Sequence, residues 1–380
     1  MAALVAAASL SSPVMAKNYS PSKVINAMGV ANNRLHIIVE HRGAFHQGCP
    51  ENSSCSIGAT ANEGVEAVEI DVRESTNGTL WPIHDTKIGR VTNYSFNGKL
   101  FNPYEVSAAN ESNNPSIALM NDAALQKLKL RDPLGDVTPF SFVPLETLMR
   151  YAHQHNNNLV YIFDIKTASA IQKTAAMVRK LRIEDRSVLK FNANLTTPAA
   201  VSRLTQGVRF VPVIGTGSLD SIVDNNHLEK NNSQGRVNAY VWDYSHASGF
   251  LYFEIRNKMY GGSSSDYIMN GMPIEGPLVF LIKNLVTARI PVGGFSPRIE
   301  HYARNGEPGT GFYTVEGHCC TPLETRMDSS RYFGNDTRDD RSSLIAMVAA
   351  NNVIIAERGS DALAQAVRDG SRADEARIMN

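Results

Sequence analysis

Residues 36–85 read HIIVEHRGAFHQGCPENSSCSIGATANEGVEAVEIDVRESTNGTLWPIHD. Two apolar, β-branched runs stand out, His36–Glu40 (HIIVE) and Val68–Val72 (VEIDV). Such runs read as strands buried on both faces, as a parallel sheet requires. The first leads into His41, Arg42 and Gly43, and ten residues after His41 comes Glu51 in the segment Pro50-Glu51-Asn52-Ser53. The second carries Glu69 and Asp71 two positions apart. Alternate residues of a strand share a face, so these two carboxylates point the same way and Ile70 points the other. Asn77-Gly78 is a turn signal, and Leu80–Ile83 then leads to His84 and Asp85.

The same kind of run recurs along the chain. It appears at Leu159–Ile165, Val188–Phe191, Arg209–Ile214, Ala239–Trp242, Arg289–Gly293 and Val353–Ala356, which makes eight strands in all. Helical segments fall between or after them, at Ala168–Leu181, Ser342–Ala350 and Asp361–Arg368. Eight buried strands alternating with helices predict an α/β fold, a (β/α)₈ TIM barrel. A barrel of this kind needs ~250 residues. The chain has 380, so the surplus is assigned to insertions at about 93–138, 244–275 and 297–340 of a single domain spanning 17–380.

In a (β/α)₈ barrel the C-terminal ends of the strands form the active-site face. His41, Arg42, Glu69, Asp71 and the pair Asp164/Lys166 all lie at or just beyond such ends. Two carboxylates aimed together repel unless a cation sits between them, and Asp164 supplies a third oxygen. An all-oxygen set suits one divalent cation, Ca²⁺ or Mg²⁺, rather than zinc. Such an ion polarises a phosphoryl oxygen, and Arg42 and Lys166 offset charge on the others. His41 and His84 supply imidazoles that titrate near neutrality, suited to general acid and base. The constellation as a whole points to phosphate-ester chemistry.

Composition narrows the field. Lys plus Arg and Asp plus Glu are both 37, a net charge of zero, which disfavours nucleic-acid binding and electrostatic docking on anionic lipid. Residues 1–16 are uncharged and rich in Ala, Leu and Val, and Val14-Met15-Ala16 fits a signal-peptidase site. The expectation is an exported protein, periplasmic or secreted, with residues 1–16 removed. Export favours pairing of the four cysteines. Cys49 and Cys55 suit a small closed loop; adjacent Cys319 and Cys320 would need a strained bridge, and cross-pairing of the four is the alternative.

Three segments together, H-R-G-(x)₆-P-E-N-S, E-G-V-E-A-V-E-I-D-V and N-G-T-L-W-P-I-H-D, resemble the signature of the glycerophosphodiester phosphodiesterases. The match runs nearly continuously from Ile37 to Asp85 and is traceable at Val160–Lys166, Val188–Asn192 and Val353–Ser360. The resemblance implies metal ligation by Glu69, Asp71 and Asp164, acid/base roles for His41 and His84, and phosphate contacts from Arg42 and Lys166. It puts Glu51 near the metal or substrate. It also implies attack of a neighbouring glycerol hydroxyl on phosphorus, a cyclic phosphate, and release of glycerol 3-phosphate. The implied partner is a small glycerophosphodiester such as glycerophosphocholine, with transient lipid contact admitted, no nucleic acid and no protein partner.

There are departures. Asp164 stands where most members carry Glu, and a Cys pair brackets the Pro-Glu-Asn segment. The D-x-K variant is similar to the sphingomyelinase D and phospholipase D toxins, which release a cyclic phosphate from sphingolipid or lysolipid. Their bridged loop, however, follows the second histidine rather than the first. The tract Phe250–Phe253 is the candidate apolar rim for that alternative. Trp242, at the end of a predicted strand, is a candidate contact for the substrate alcohol or head group.

Overall fold

The computed structural model describes residues 17–45, 48–103, 113–156, 158–215, 233–255, 268–269, 272–273, 281, 284–296, 301–302, 311–315, 318–322, 351–356 and 359–380. Its centre is a closed barrel of parallel strands: β1 (Ile37–Glu40), β2 (Ala67–Glu74), β3 (Val160–Ile165), β4 (Ser187–Asn192), β5 (Arg209–Ile214), β6 (Phe253–Ile255), β7 (Val292–Ser296) and β8 (Val353–Ala356). The sheet closes because β1 pairs with both β2 and β8, Val39 opposite Ala67 and Ile37 opposite Val353. The described helices of the outer ring are α2 (Ser54–Glu63), α3 (Leu145–His155), α4 (Ala168–Leu181), α5 (Pro198–Thr205), α6 (Ser233–Ser245) and α7 (Gly359–Arg368). The fold is the expected (β/α)₈ barrel.

Local chemistry sets the helix ends. Ser53 caps α2 in a reciprocal box with Ser56. Thr167 caps α4, whose last turn carries Arg179 and Lys180 against the negative end of the helix dipole. Thr197 caps α5, which has Pro198 in its first turn.

Strand alternation sorts the core into two layers. Val68, Ile70, Val72, Phe163, Ile165, Leu189 and Phe191 pack outward among the helices. Ile37, Val39, Ala67, Val160, Ile162, Val188 and Val353 fill the barrel interior. A further helix, α1 (Pro21–Met28), adds Val24, Ile25 and Met28 to that interior cluster and so plugs the N-terminal end. Buried Arg372 braces this end, hydrogen-bonding the His36 carbonyl, Glu66, Glu375 and the Tyr19 hydroxyl. The opposite end is left for polar residues.

The region expected as an insertion at 93–138 holds one antiparallel hairpin, Ser95–Phe96 with Lys99–Leu100, and most of a second, Lys129–Arg131 with Val137–Ser141, which runs three residues past its expected end. Leu130, Ile117 and Leu125 from this region pack with Trp81, Ile83 and Phe142 in a satellite core beside the barrel mouth.

Three readings are corrected. Ala239–Trp242 is not a strand but part of α6. Tyr240 and Tyr244 lie one helical turn apart, and both hydroxyls donate to the Ala193 carbonyl, a contact that helical spacing makes possible. The sixth strand is instead Phe253–Ile255, so Phe250–Phe253 leads into the barrel wall and is no lipid-facing rim: Leu251, Tyr252 and Phe253 are buried. The seventh strand starts at Val292 rather than Arg289, because Arg289 takes a left-handed conformation (φ 56°) at the end of the preceding helical turn. Ser342–Ala350 and residues 1–16 lie outside the described residues. So do the side chains of Cys319 and Cys320, whose backbone belongs to the strand His318–Pro322.

Candidate active site

Register brings the carboxylates together. Asp71 on β2 lies opposite Asp164 on β3, and Asp164 lies opposite Lys190 on β4. Glu69 sits one inward position below Asp71. One carboxylate oxygen from each of Glu69, Asp71 and Asp164 lies within 4.8 Å of the others, and all three residues are buried. The Oε1 atom of Glu69 is buried without a hydrogen bond, while Oε2 accepts from Lys190 Nζ at 2.8 Å. Three buried carboxylates gathered this closely, with Glu69 Oε1 left without a hydrogen bond, can hold a divalent cation.

Cations line the cluster. Lys166 Nζ is 2.9 Å from Asp71 Oδ1 and 2.7 Å from Asp164 Oδ2. Arg42 Nε is 3.5 Å from Asp71 Oδ2. Burial opposes ionisation of Asp71, but Lys166, His84 and Arg42 more than offset it and hold the carboxyl well below the usual range. Glu69 goes the other way: burial raises it, even with Lys190 and His41 beside it.

The loop after β1 is shaped by backbone conformation. Arg42 and Gly43 both have positive φ, 57° and 76°. A Cβ on Gly43 would meet Ser56 Oγ at 2.6 Å, so glycine lets the loop lie against α2. The Cys49–Cys55 disulfide, one of the expected pairings, ties this loop to the same helix. Asn52, also at positive φ (53°), accepts from the Asp71 N–H at 2.9 Å and donates to Asp71 Oδ2 at 3.0 Å. That fork fixes the Asp71 carboxylate.

The histidines flank the triad. His41 follows β1, its N–H donating to the Ala356 carbonyl of β8, and its Nε2 is 3.7 Å from Glu69 Oε1. His84 is delivered by a hairpin in which Leu80–Pro82 returns antiparallel along the end of β2. The expected Asn77-Gly78 turn makes that reversal, with Gly78 at φ 74°. Asp122 accepts from Ser75, Thr79 and Trp81 and pins the hairpin down. Arg73 Nε donates to the His84 carbonyl at 2.7 Å, and His84 Nδ1 is 2.9 Å from Asp85 Oδ1. Enclosure and the nearby Arg42 charge lower the His84 pKa from its ordinary value.

Glu51 lies behind Arg42, its Oε2 3.4 Å from Nη1. Burial would raise its carboxyl, but Arg90 and then Arg42 overcome this and hold it at about 2. Trp242 is not brought to the cluster. It sits half exposed on α6 with its ring 4.4 Å from that of His246.

Sequence reasoning assigned no role to four residues that the fold gathers here: Asn52, Arg90, Lys190 and Glu254. Lys190 Nζ is 2.8 Å from both Glu69 and Glu254 carboxylates and 3.6 Å from Asp164. The signal was present. Lys190 and Glu254 are each the one charged residue of a short strand, and a charge buried in a barrel needs a partner.

The sequence profile of the glycerophosphoryl diester phosphodiesterase family matches residues 41–242, more than half of the chain. A search of curated protein sequences finds no match. Similar solved structures include a glycerophosphoryl diester phosphodiesterase from Parabacteroides distasonis, 14% identical, covering 93% of this chain and 94% of its own, with a TM-score of 0.52. Another is a phosphodiesterase from Oleispira antarctica in complex with the product sn-glycerol-3-phosphate, 12% identical, covering 87% and 96%, also with a TM-score of 0.52. At these identities the likeness establishes a shared fold.

Proposed function

The chain belongs to the glycerophosphoryl diester phosphodiesterase family and is a phosphoric diester hydrolase; from that premise we propose that it is an exported, divalent-cation-dependent enzyme that cleaves glycerophosphodiesters, glycerophosphocholine among them, to glycerol 3-phosphate and an alcohol. The observation that carries this reading is the buried Glu69/Asp71/Asp164 cluster at the barrel mouth, flanked by two histidines and two cations.

Glu69, Asp71 and Asp164 would hold the ion, and their all-oxygen donor set suits Ca²⁺ or Mg²⁺. When bound, it supplies Lewis-acid polarisation of a phosphoryl oxygen. Arg42 and Lys166 bind the remaining phosphate oxygens and disperse charge that builds up as phosphorus becomes five-coordinate. Lys190 and Glu254 fix Glu69 from below. The neighbouring glycerol hydroxyl forms a bond to phosphorus as the bond to the alcohol oxygen breaks. One of His41 and His84 takes the hydroxyl proton, and the other gives a proton to the departing oxygen. The two then exchange roles as water opens the cyclic phosphate. Asp85, ionised beside His84 Nδ1, favours the tautomer that leaves Nε2 for this work.

Export is supported by the apolar first sixteen residues and by the Cys49–Cys55 bridge, since disulfides persist in oxidising compartments.

Phosphorus NMR of the purified protein with glycerophosphocholine, and separately with lysophosphatidylcholine, each with and without chelator, tests the reading. Chelator-sensitive appearance of glycerol 3-phosphate is expected. A stable cyclic phosphate from the lysolipid with glycerophosphocholine untouched, or turnover indifferent to chelator, would overturn it.

A further inference from the structure

Arg90 touches none of the three acidic residues of the cluster through its hydrogen bonds, yet it is buried at the site's edge, 5% exposed. We propose that Arg90 is a positioning residue for the reaction: it locks the loop carrying His84 to the loop carrying Arg42, and the 93–138 insertion braces it there through Arg131. The proposal rests on the roles given above to His84 and Arg42.

All three guanidinium nitrogens are committed. Nε and Nη2 donate to Asp85 at 2.6 and 3.1 Å, and Nη1 and Nη2 donate to Glu51 at 2.9 and 2.7 Å. Each carboxylate continues outward. Asp85 Oδ1 is 2.9 Å from His84 Nδ1, and Glu51 Oε2 is 3.4 Å from Arg42 Nη1. The result is an unbroken ionic path, His84–Asp85–Arg90–Glu51–Arg42, across two loops that leave different strands. Asp85 and Glu51 are buried and of like charge, and the shared guanidinium offsets the repulsion between them. A lysine cannot do this, because its single ammonium lacks the planar fork that meets two carboxylates at once.

The brace is equally specific. Arg131, on the strand Lys129–Arg131 of the insertion, is also 5% exposed. Its Nη1 donates to the carbonyls of Gly89, Arg90 and Phe101 at 3.3, 3.2 and 2.8 Å, and its Nε to Gly135 at 2.7 Å. Asn114, elsewhere in the insertion, accepts from the Gly89 N–H at 2.8 Å. The backbone that presents Arg90 is thus held by side chains of the insertion, which gives that segment a function: it stiffens one edge of the active site.

The test uses Arg90→Lys and Glu51→Gln in the full-length protein. Steady-state kinetics on glycerophosphocholine at saturating Mg²⁺ or Ca²⁺ are combined with nitrogen-15 NMR of the His84 imidazole, and circular dichroism reports the fold. The lock requires Arg90→Lys to remain folded, lose about 100-fold in kcat, the order of effect a small misplacement of a reacting group produces, and turn one His84 tautomer into a mixture. A folded variant with wild-type kcat and a single tautomer would overturn the proposal. So would a lowered melting temperature with the tautomer unchanged, which is the mark of a merely structural residue. If Arg90→Lys does not fold, Glu51→Gln decides. It lies on the far side of Arg90 from His84, so the lock requires it to shift the His84 signals, and an unaltered His84 refutes the path. The imidazole signals are read on resting protein. An enzyme inactive on glycerophosphocholine would therefore defeat the proposed function, while the His84 tautomer in Arg90→Lys and Glu51→Gln would still decide the lock.

Discussion

Replacing Lys190 with Met removes the ammonium that lies between Glu69 and Glu254, 2.8 Å from each, with side chains no more than 3% exposed. The methionine fills nearly the same volume, so the loss is electrostatic rather than a cavity. Breaking a buried ion pair by removing one partner costs about 3–5 kcal/mol, because the remaining charge is stranded in a poor solvent. Two carboxylates are stranded here, with Asp164 3.6 Å from the same ammonium. Proton uptake by Glu69, which burial already raises above the usual carboxyl range, limits the damage. A loss of about 3 kcal/mol at pH 7 in chelator is therefore expected, a large share of the 5–15 kcal/mol typical of a folded domain. A carboxyl whose folded pKa is raised destabilises the protein as pH climbs through that value. The defect should thus shrink on acidification and grow as pH rises. Urea unfolding followed by circular dichroism measures both. Adding Glu254→Leu to Lys190→Met should recover roughly half of the loss, since one stranded charge is gone. A loss below about 1 kcal/mol, or a defect that deepens on acidification, would refute the view that Lys190 neutralises this cluster.

Three further outcomes are expected. His41→Ala should lower turnover by about 10²–10⁴-fold, the contribution of a general acid or base, while circular dichroism and melting stay near wild type. Cys49→Ser with Cys55→Ser should cost on the order of 2 kcal/mol by loop-closure entropy, measured against the oxidised protein in urea. Glu51 and Glu375 are both held at about 2, Glu51 by Arg90 against the pull of burial and Glu375 by Lys17 and Arg372 against the same pull. Depressed carboxyls contribute stability above the unfolded value of 4.5 and lose it as pH falls toward about 2. Wild-type unfolding free energy should therefore fall steeply in that window, and Glu51→Gln should fall less.

Where apolar runs carry functional residues at their ends, both fold and site are readable from sequence. HIIVE-HRG and VEIDV mark strands because they are buried on two faces, and the i, i+2 spacing of Glu69 and Asp71 by itself aims both carboxylates in one direction. The same rule places Asp164 and Lys166. Ala239–Trp242 is different: four apolar residues suit a strand and a helix equally, and in the fold they form a helix that packs Val241 and Tyr244 inward and leaves Ala239 and Trp242 exposed. Strand β6 is hidden for another reason. It is only three residues long, and its glutamate looks like a strand breaker until Lys190 supplies the partner.

The alternation of strands and helices, the type of fold, and the placing of acidic residues and histidines at strand ends are local properties, written in periodicity and spacing along one chain. Arg90 between Asp85 and Glu51, Lys190 between Glu69 and Glu254, and the brace from Arg131 join residues up to 121 positions apart. No periodicity encodes such pairs, because whether a buried charge meets its counter-charge depends on how the sheet curls shut. Closure of the barrel decided them.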